Sequence, residues 1–426
     1  MRLPRDISAR IAADRTMMEE FSALCDFGGR LAGTASERQA LAYVTERGSL
    51  ASGVRCTPLP VNYRGWRARK AELRLSGGTP VPCHPLVRSA PTAEAGLAAE
   101  VIDLGRGTPE EFDAHRKEIV GRIVLVRHEL MFAAGTIHRR RKYNMAREAG
   151  AIGFLIAGPV AGALVSGSSG KEGDVGIPAA GIAPETAALL ARTASGWARA
   201  TLMIETEEFE EQTSTLLFDL PGQTDEVVVL SAHVDGHDIN ESAMDNASGV
   251  ATALTVVRAV AAHVKTWQRG VRLAFFSVEE WALTGSAWYI ASLSAREQKR
   301  VALNINLDTV AGGRQLTALT SGFDKLEPFL LAAAEANGHQ LRCVRPLQMN
   351  SDHANFALAG IPAFRLVAGY DEPEANVRFV LTPYDRRTTV TETELTKAAE
   401  LTAALLAASC NAPPSSALQW RDAGKQ

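Results

Sequence analysis

The sequence predicts an α/β protein: a mixed, largely parallel sheet covered by helices on both faces, with a β-rich domain inserted into it. Three observations predict this. From about residue 215, short apolar and β-branched runs alternate with helix-length apolar periodicities, the pattern of parallel strands joined by crossover helices. Between about residues 66 and 204 the texture changes to short apolar strands broken by Gly and Pro. Before that, residues 5–54 carry helical spacing. The expected organisation is one discontinuous domain, 1–75 with 213–410, and an inserted domain, 76–212. Residues 411–426, with Pro413-Pro414-Ser415-Ser416, read as a disordered tail.

At 426 residues the chain has room for two or three domains of about 100–200 residues each. Its 46% hydrophobic and 22% charged residues place it among globular proteins. A net charge of −3 gives no basic surface for a nucleic acid, and no apolar run approaches the ~20 residues of a membrane span. Neither partner is expected. Residues 1–21 carry charges throughout and lack an apolar centre, so they do not read as a secretory signal. The five cysteines (Cys25, Cys56, Cys83, Cys343, Cys410) are scattered, with no Cys-x-x-Cys pair. They read as reduced thiols, and the expected location is cytoplasmic.

In chain order, Gly28-Gly29-Arg30-Leu31-Ala32-Gly33-Thr34 is a Gly-rich loop, and Thr34 or Ser36 caps the helix that follows. In the middle region, 123–126 and 154–156 read as buried strands, with a helix from 142 between them. The basic run His138-Arg139-Arg140-Arg141-Lys142 reads as a solvated helix start, because nothing aromatic interleaves with it. From residue 215 the predicted strands are 227–230, 271–276, 303–307 and 362–367. The predicted helices are 249–263, 285–292, 325–337, 352–359 and 392–408. There is no internal repeat.

The chemistry gathers at strand ends. His233 and Asp235 close the first strand, and Asp245 opens the helix after it. Glu279 and Glu280 follow the strand VRLAFFSV, and Asp308 follows ALNINL. In open α/β sheets ligands bind at this edge. Like charges packed together repel, and a cation relieves them. A zinc-like ion takes three such ligands and keeps a position for water.

The stretch VVVLSAHVDGHDINESAMDNASGVA resembles the signature of metallopeptidase family twenty-eight, the co-catalytic zinc exopeptidases. These include bacterial leucyl aminopeptidases, glutamate carboxypeptidase and glutaminyl cyclase. The Gly-rich loop, Glu279-Glu280, and Ser351-Asp352-His353 through Gly360-Ile361-Pro362 extend the resemblance over about residues 28–50 and 215–390. Residues 95–205 are similar to the protease-associated domain.

The resemblance implies the zinc exopeptidase fold and a metal-dependent amide hydrolase, aminopeptidase-like by default. It implies one or two divalent ions per chain, zinc first, with manganese or cobalt as alternatives. His233, Asp245 and Asp308 would hold the first metal. Asp245 would bridge to a second, also held by Glu280. Glu279 would be the general base and Asp235 would orient His233.

One position departs. The family's last ligand is a His, and here Leu381 stands in its place, in Val380-Leu381-Thr382-Pro383-Tyr384-Asp385; no His follows His353. Three readings stay open: a mononuclear amidohydrolase on a small non-peptide amide, a site rebuilt with His353, His237 or Asp385, or a non-catalytic binding scaffold. His353 reads first as a packed helix-start residue and His237 as a solvated loop residue. Arg386 and Arg387 read as a surface turn or as contacts to a substrate carboxylate, and Trp281 as core or pocket wall. The expected partner is a small peptide or small amide, and homo-oligomerisation is left open.

Overall fold

A computed structural model describes residues 2–171, 173–191 and 197–421. The chain divides into two compact units. The first comprises Met1–Tyr63, Gln212–Val377 and Asp385–Gln426; the second comprises Arg64–Glu211 and Arg378–Tyr384.

In the first unit four parallel strands form the centre of the sheet, in the order Ala363–Ala368, Val301–Leu307, Val227–His233 and Gly270–Phe276. Residues 216–220 pair antiparallel with Gly270–Phe276. On the other side, Leu316–Leu319 pairs antiparallel with Ala363–Ala368 and parallel with Arg342–Val344. The Val227–His233 and Val301–Leu307 strands are buried on both faces apart from Val227. Near-continuous apolar runs are what such strands require.

Helix Ser248–Val264 fills much of one face, with Thr16–Asp26, Ala35–Ser52 and Glu392–Asn411 beside it. With the turn before it, the 22-residue run Ala243–Val264 is long and apolar enough to cross a membrane by composition. No sequence run of that kind was expected. Most of it is buried inside the protein, and a core helix has that same composition. Thr34 caps the Ala35–Ser52 helix, accepting the Glu37 N–H at 3.3 Å.

The tail departs from expectation. Pro414–Trp420 is a helix with proline at its first turn. Two consecutive prolines read as disorder, yet proline is well suited to a helix start. Trp420 is buried and lies 4.6 Å from the Phe329 ring, centroid to centroid. That apolar contact holds the helix, and residues 422–426 lie outside the described ones.

The second unit holds parallel strands Leu97–Asp103, Ile123–Arg127, Gly153–Ala157 and Ala179–Ile182. His84–Pro85 pairs antiparallel at one end and residues 198–202 at the other. The expected boundary at residue 75 shifts to 63. Leu73 pairs with Val81 and is fully buried in this unit's core, so the segment from Arg64 belongs here. Residues 378–384 belong here too: the Ser166 N–H donates to the Leu381 carbonyl at 2.8 Å.

The basic run is also corrected. His138 caps the Arg139–Glu148 helix, but Lys142 and Arg139 are buried rather than solvated. Lys142 Nζ donates to Glu129 Oε2 at 2.6 Å and to Arg127 O at 2.8 Å, and Arg139 Nε donates to Ser168 O at 2.7 Å. The i, i+3 spacing puts both cations on one inward face.

Desolvation works against the Glu129 carboxylate, yet Lys142 and Arg106 hold its pKa below the usual glutamate value of 4.5. A depressed carboxyl pKa stabilises above the unfolded value and stops doing so as pH falls through the folded one. Burial lowers the Lys142 pKa, but the amine keeps its proton in both states at acid pH and adds no slope there. Glu129→Gln is therefore expected to be less stable than wild type at neutral pH. Thermal melts should show that gap closing as pH drops below 4.5.

Candidate metal centre

The parallel strands end together, and the candidate residues lie at those ends. His233 is the last residue of its strand and pairs in register with Phe276, three residues before Glu279. Asn306, two residues before Asp308, pairs with Ser231 on one side and Arg365 on the other.

Within Asp245-Asn246-Ala247-Ser248-Gly249, four residues have a local task. Asp245 and Asn246 leave helical geometry, and the peptide bond between them is cis. Asn246 Nδ2 donates to Leu307 O at 2.9 Å, and its Oδ1 accepts the Gly249 and Thr309 N–H groups. This ties the Asp245 turn to the strand end that carries Asp308. Ser248 Oγ donates to Met244 O at 2.6 Å. A Cβ on Gly249 would lie 2.3 Å from Asn246 Oδ1 and 2.5 Å from Leu307 O, so only glycine fits.

His233, Asp245 and Asp308 each present one ligand atom within 4.8 Å of the others. His233 Nε2 lies 3.0 Å from Asp245 Oδ1 and 3.7 Å from Asp308 Oδ1. His233 Nδ1 lies 3.0 Å from the Asp235 backbone carbonyl. A carbonyl only accepts, so Nδ1 carries a proton, and Nε2 is the atom that faces the carboxylates and is left for a bound ion. Both His233 Nε2 and Asp245 Oδ1 are sealed from solvent, and among the described residues neither makes a well-directed hydrogen bond. Polar atoms left this way are costly in a protein alone and suit a bound cation. One nitrogen and two carboxylates form a fitting donor set for a divalent metal such as zinc.

Asp235 does more than orient His233. Its carboxylate lies 3.7 Å from His233 Nδ1, and it accepts the N–H groups of Glu279 and Glu280, each at 3.1 Å. The contact that sets the imidazole comes from its backbone; the side chain holds the Glu-Glu turn. Asp235→Ala is expected to lower zinc affinity or turnover about 10–100-fold, read by metal titration and steady-state kinetics.

The electrostatics are those of a site short of positive charge. Burial pushes the Glu279 carboxyl well above its usual range; His233 opposes this, and Glu280, Asp352 and Asp308 reinforce it. Burial, Asp308 and Glu280 raise Asp245. Burial alone would lower His233, but Glu279 with Asp235, Asp245 and Asp308 raises it well above an ordinary imidazole. Asp308 goes the other way: burial would raise it, but Arg365 holds it well below the carboxylate range.

Arg365 was not singled out in the sequence. It is buried in the Ala363–Ala368 strand. Its Nη2 lies 3.0 Å from Asp308 Oδ1, Nε donates to Asp308 O at 3.2 Å, and Nη1 donates to Asn350 O at 2.9 Å. Arg30, in the Gly-rich loop, was likewise unassigned. Its buried guanidinium donates to the carbonyls of Val234, Leu24, Gly28, Glu241 and Ser242, joining the loops that carry the site.

The remaining candidates separate. His237 is buried rather than solvated, and its Nε2 lies 2.8 Å from Glu280 Oε2. His353 is fully buried, and burial together with Arg365 lowers it to about 3, a neutral core imidazole. Asp385 accepts the Met244 N–H at 2.7 Å and the Asp245 N–H at 3.3 Å, supporting the turn from behind. Arg387 pairs with Asp26 at 2.7 Å and Glu241 at 3.1 Å. Trp281 is buried edge-on to Tyr63 with ring centroids 6.0 Å apart, a packing role.

Known proteins resemble this chain in sequence and fold. The pattern of Peptidase family M28 matches residues 215–406, and that of the PA domain matches residues 84–190. These matches support a peptidase of family M28 with an inserted PA domain. It is 27% identical to an aminopeptidase of Bacillus subtilis over 88% of this chain and 80% of the relative. It is also 27% identical to a probable lipoprotein aminopeptidase of Mycobacterium tuberculosis, over 84% and 74%. Two solved structures share the fold. A zinc aminopeptidase from Bacillus subtilis has a TM-score of 0.72 and 24% identity, covering 92% of this chain and 93% of its own. A peptidase M28 precursor from Shewanella amazonensis has a TM-score of 0.78 and 19% identity, covering 96% of each chain.

Proposed function

We propose that this protein is a zinc-dependent aminopeptidase that removes residues from peptides with a free N-terminus, with Glu279 as general base. The observation that carries the reading is the convergence of His233, Asp245 and Asp308 within 4.8 Å of one another beside Glu279. The aminopeptidase names of its relatives support the substrate class. The five unpaired thiols support a cytoplasmic setting.

His233, Asp245 and Asp308 would hold a divalent ion, which when bound would supply Lewis acidity to the scissile carbonyl and to water. The protein does the rest. The Asp235 carbonyl fixes the His233 tautomer, and Asp235's carboxylate fixes the backbone under Glu279. Glu279 takes a proton from the attacking water and delivers it to the departing amine. Its burial raises the basicity of the carboxylate, which favours accepting that proton.

The test is a matched pair of substrates, an aminoacyl p-nitroanilide with a free amine and the same compound N-acetylated. The free amine should be cleaved and the acetylated compound left intact. Equal cleavage of both would contradict an aminopeptidase and favour a broader amidohydrolase.

A further inference from the structure

We infer that His237 supplies a ligand to a second cation site, shared with Glu280 and Asp245. The inference rests on the metal-dependent reading above and extends it to a residue with no assigned role. Leu381, where the resemblance would place the last imidazole, has a hydrocarbon side chain and cannot coordinate. His237 is an imidazole already facing one of the remaining donors, with Nε2 2.8 Å from Glu280 Oε2.

The loop holding His237 is built to keep it there. The His237 N–H donates to Ser242 Oγ at 3.0 Å. Gly29 packs so closely on the loop that a Cβ would fall 1.7 Å from His237 O, and a Cβ on Gly236 would fall 2.3 Å from Ser242 Oγ. Arg30 clamps Val234 O at one end of the loop and Glu241 O and Ser242 O at the other. A solvated loop histidine needs none of this. The ring is instead buried and positioned before any ion arrives.

The surroundings favour a cation. Asp245 carries charge repulsion from both Asp308 and Glu280. Arg365 relieves Asp308, with Nη2 3.0 Å from Asp308 Oδ1. Nitrogen and oxygen ligands of tetrahedral zinc lie about 3.3 Å apart. His237 Nε2 and Glu280 Oε2 need to separate by only about half an ångström to admit an ion between them. His353 is the weaker candidate, because it is fully buried in the core beside the field of the Arg365 cation.

The experiment is equilibrium dialysis of the intact, chelator-stripped chain against buffered zinc, with zinc per chain read by elemental analysis. Wild type should bind two equivalents. His237→Ala and Glu280→Gln should each bind one, His237→Asp should recover the second, and His353→Ala should keep both. Circular dichroism and melting curves establish that each variant is folded; if His237→Ala is not, Glu280→Gln and His237→Asp carry the test. One equivalent in wild type, or two in His237→Ala, would overturn the inference while leaving the first site standing. No zinc bound by wild type would overturn the metal-dependent reading as well.

Discussion

Glu279→Gln is expected to lower kcat by about 10²–10⁴-fold while zinc content stays at the wild-type value. The amide is nearly isosteric with the carboxylate, so the turn held by Asp235 survives: that bond is made by the Glu279 backbone N–H, which the substitution keeps. What is lost is the group that accepts and returns a proton. KM should change little, because the loss falls on a transition-state interaction. Steady-state kinetics with elemental analysis of the same preparation make the measurement. A variant that lost zinc and activity together would make Glu279 a structural residue of the site instead.

Arg365→Met is expected to destabilise the zinc-free protein by about 3–5 kcal/mol, the usual cost of stripping one partner from a buried ion pair. Arg365 and Asp308 are both nearly inaccessible, with side chains 3% exposed and 3.0 Å apart. Without the guanidinium, Asp308 is a buried carboxylate facing Asp245. Zinc should then stabilise the variant more than it stabilises wild type, because the ion takes over neutralisation of Asp308. Melting temperatures of both proteins with and without zinc test this. An equal zinc shift in the two would mean that Arg365 and the ion do not share Asp308.

These two residues also mark what the sequence makes legible. Glu279 is found in a strand-then-polar pattern that any reader of local periodicity can follow. The same holds for His233, Glu280 and Asp308, each placed where an apolar run ends, and for Asp245, placed where a helix begins. Arg365 sits inside an apolar strand with no motif around it. Its meaning appears only when Ala363–Ala368 lies beside Val301–Leu307 and sets Arg365 against Asn306. Lateral neighbours in a sheet are far apart in sequence and leave no local trace.

The misread residues share one cause. His237 and Lys142 are polar residues in polar stretches, and polarity alone suggests solvent. Their burial comes from contacts over long separations: Glu280 for the first, Glu129 for the second. Trp420 follows a Pro-Pro-Ser-Ser segment whose composition favours disorder, and its contact with Phe329 is one that composition does not show. For Asp235 the carboxylate was expected to orient His233; that contact comes from its carbonyl, and the division between the two is a matter of angles that spacing does not carry.

The most direct test of the central claim is hydrolysis of leucine p-nitroanilide by chelator-stripped protein as zinc is titrated back. The account predicts no activity without zinc, a rise that saturates with zinc binding, and a flat line for Glu279→Gln over the same binding range. Full activity in the stripped protein, or wild-type activity in Glu279→Gln, would contradict it.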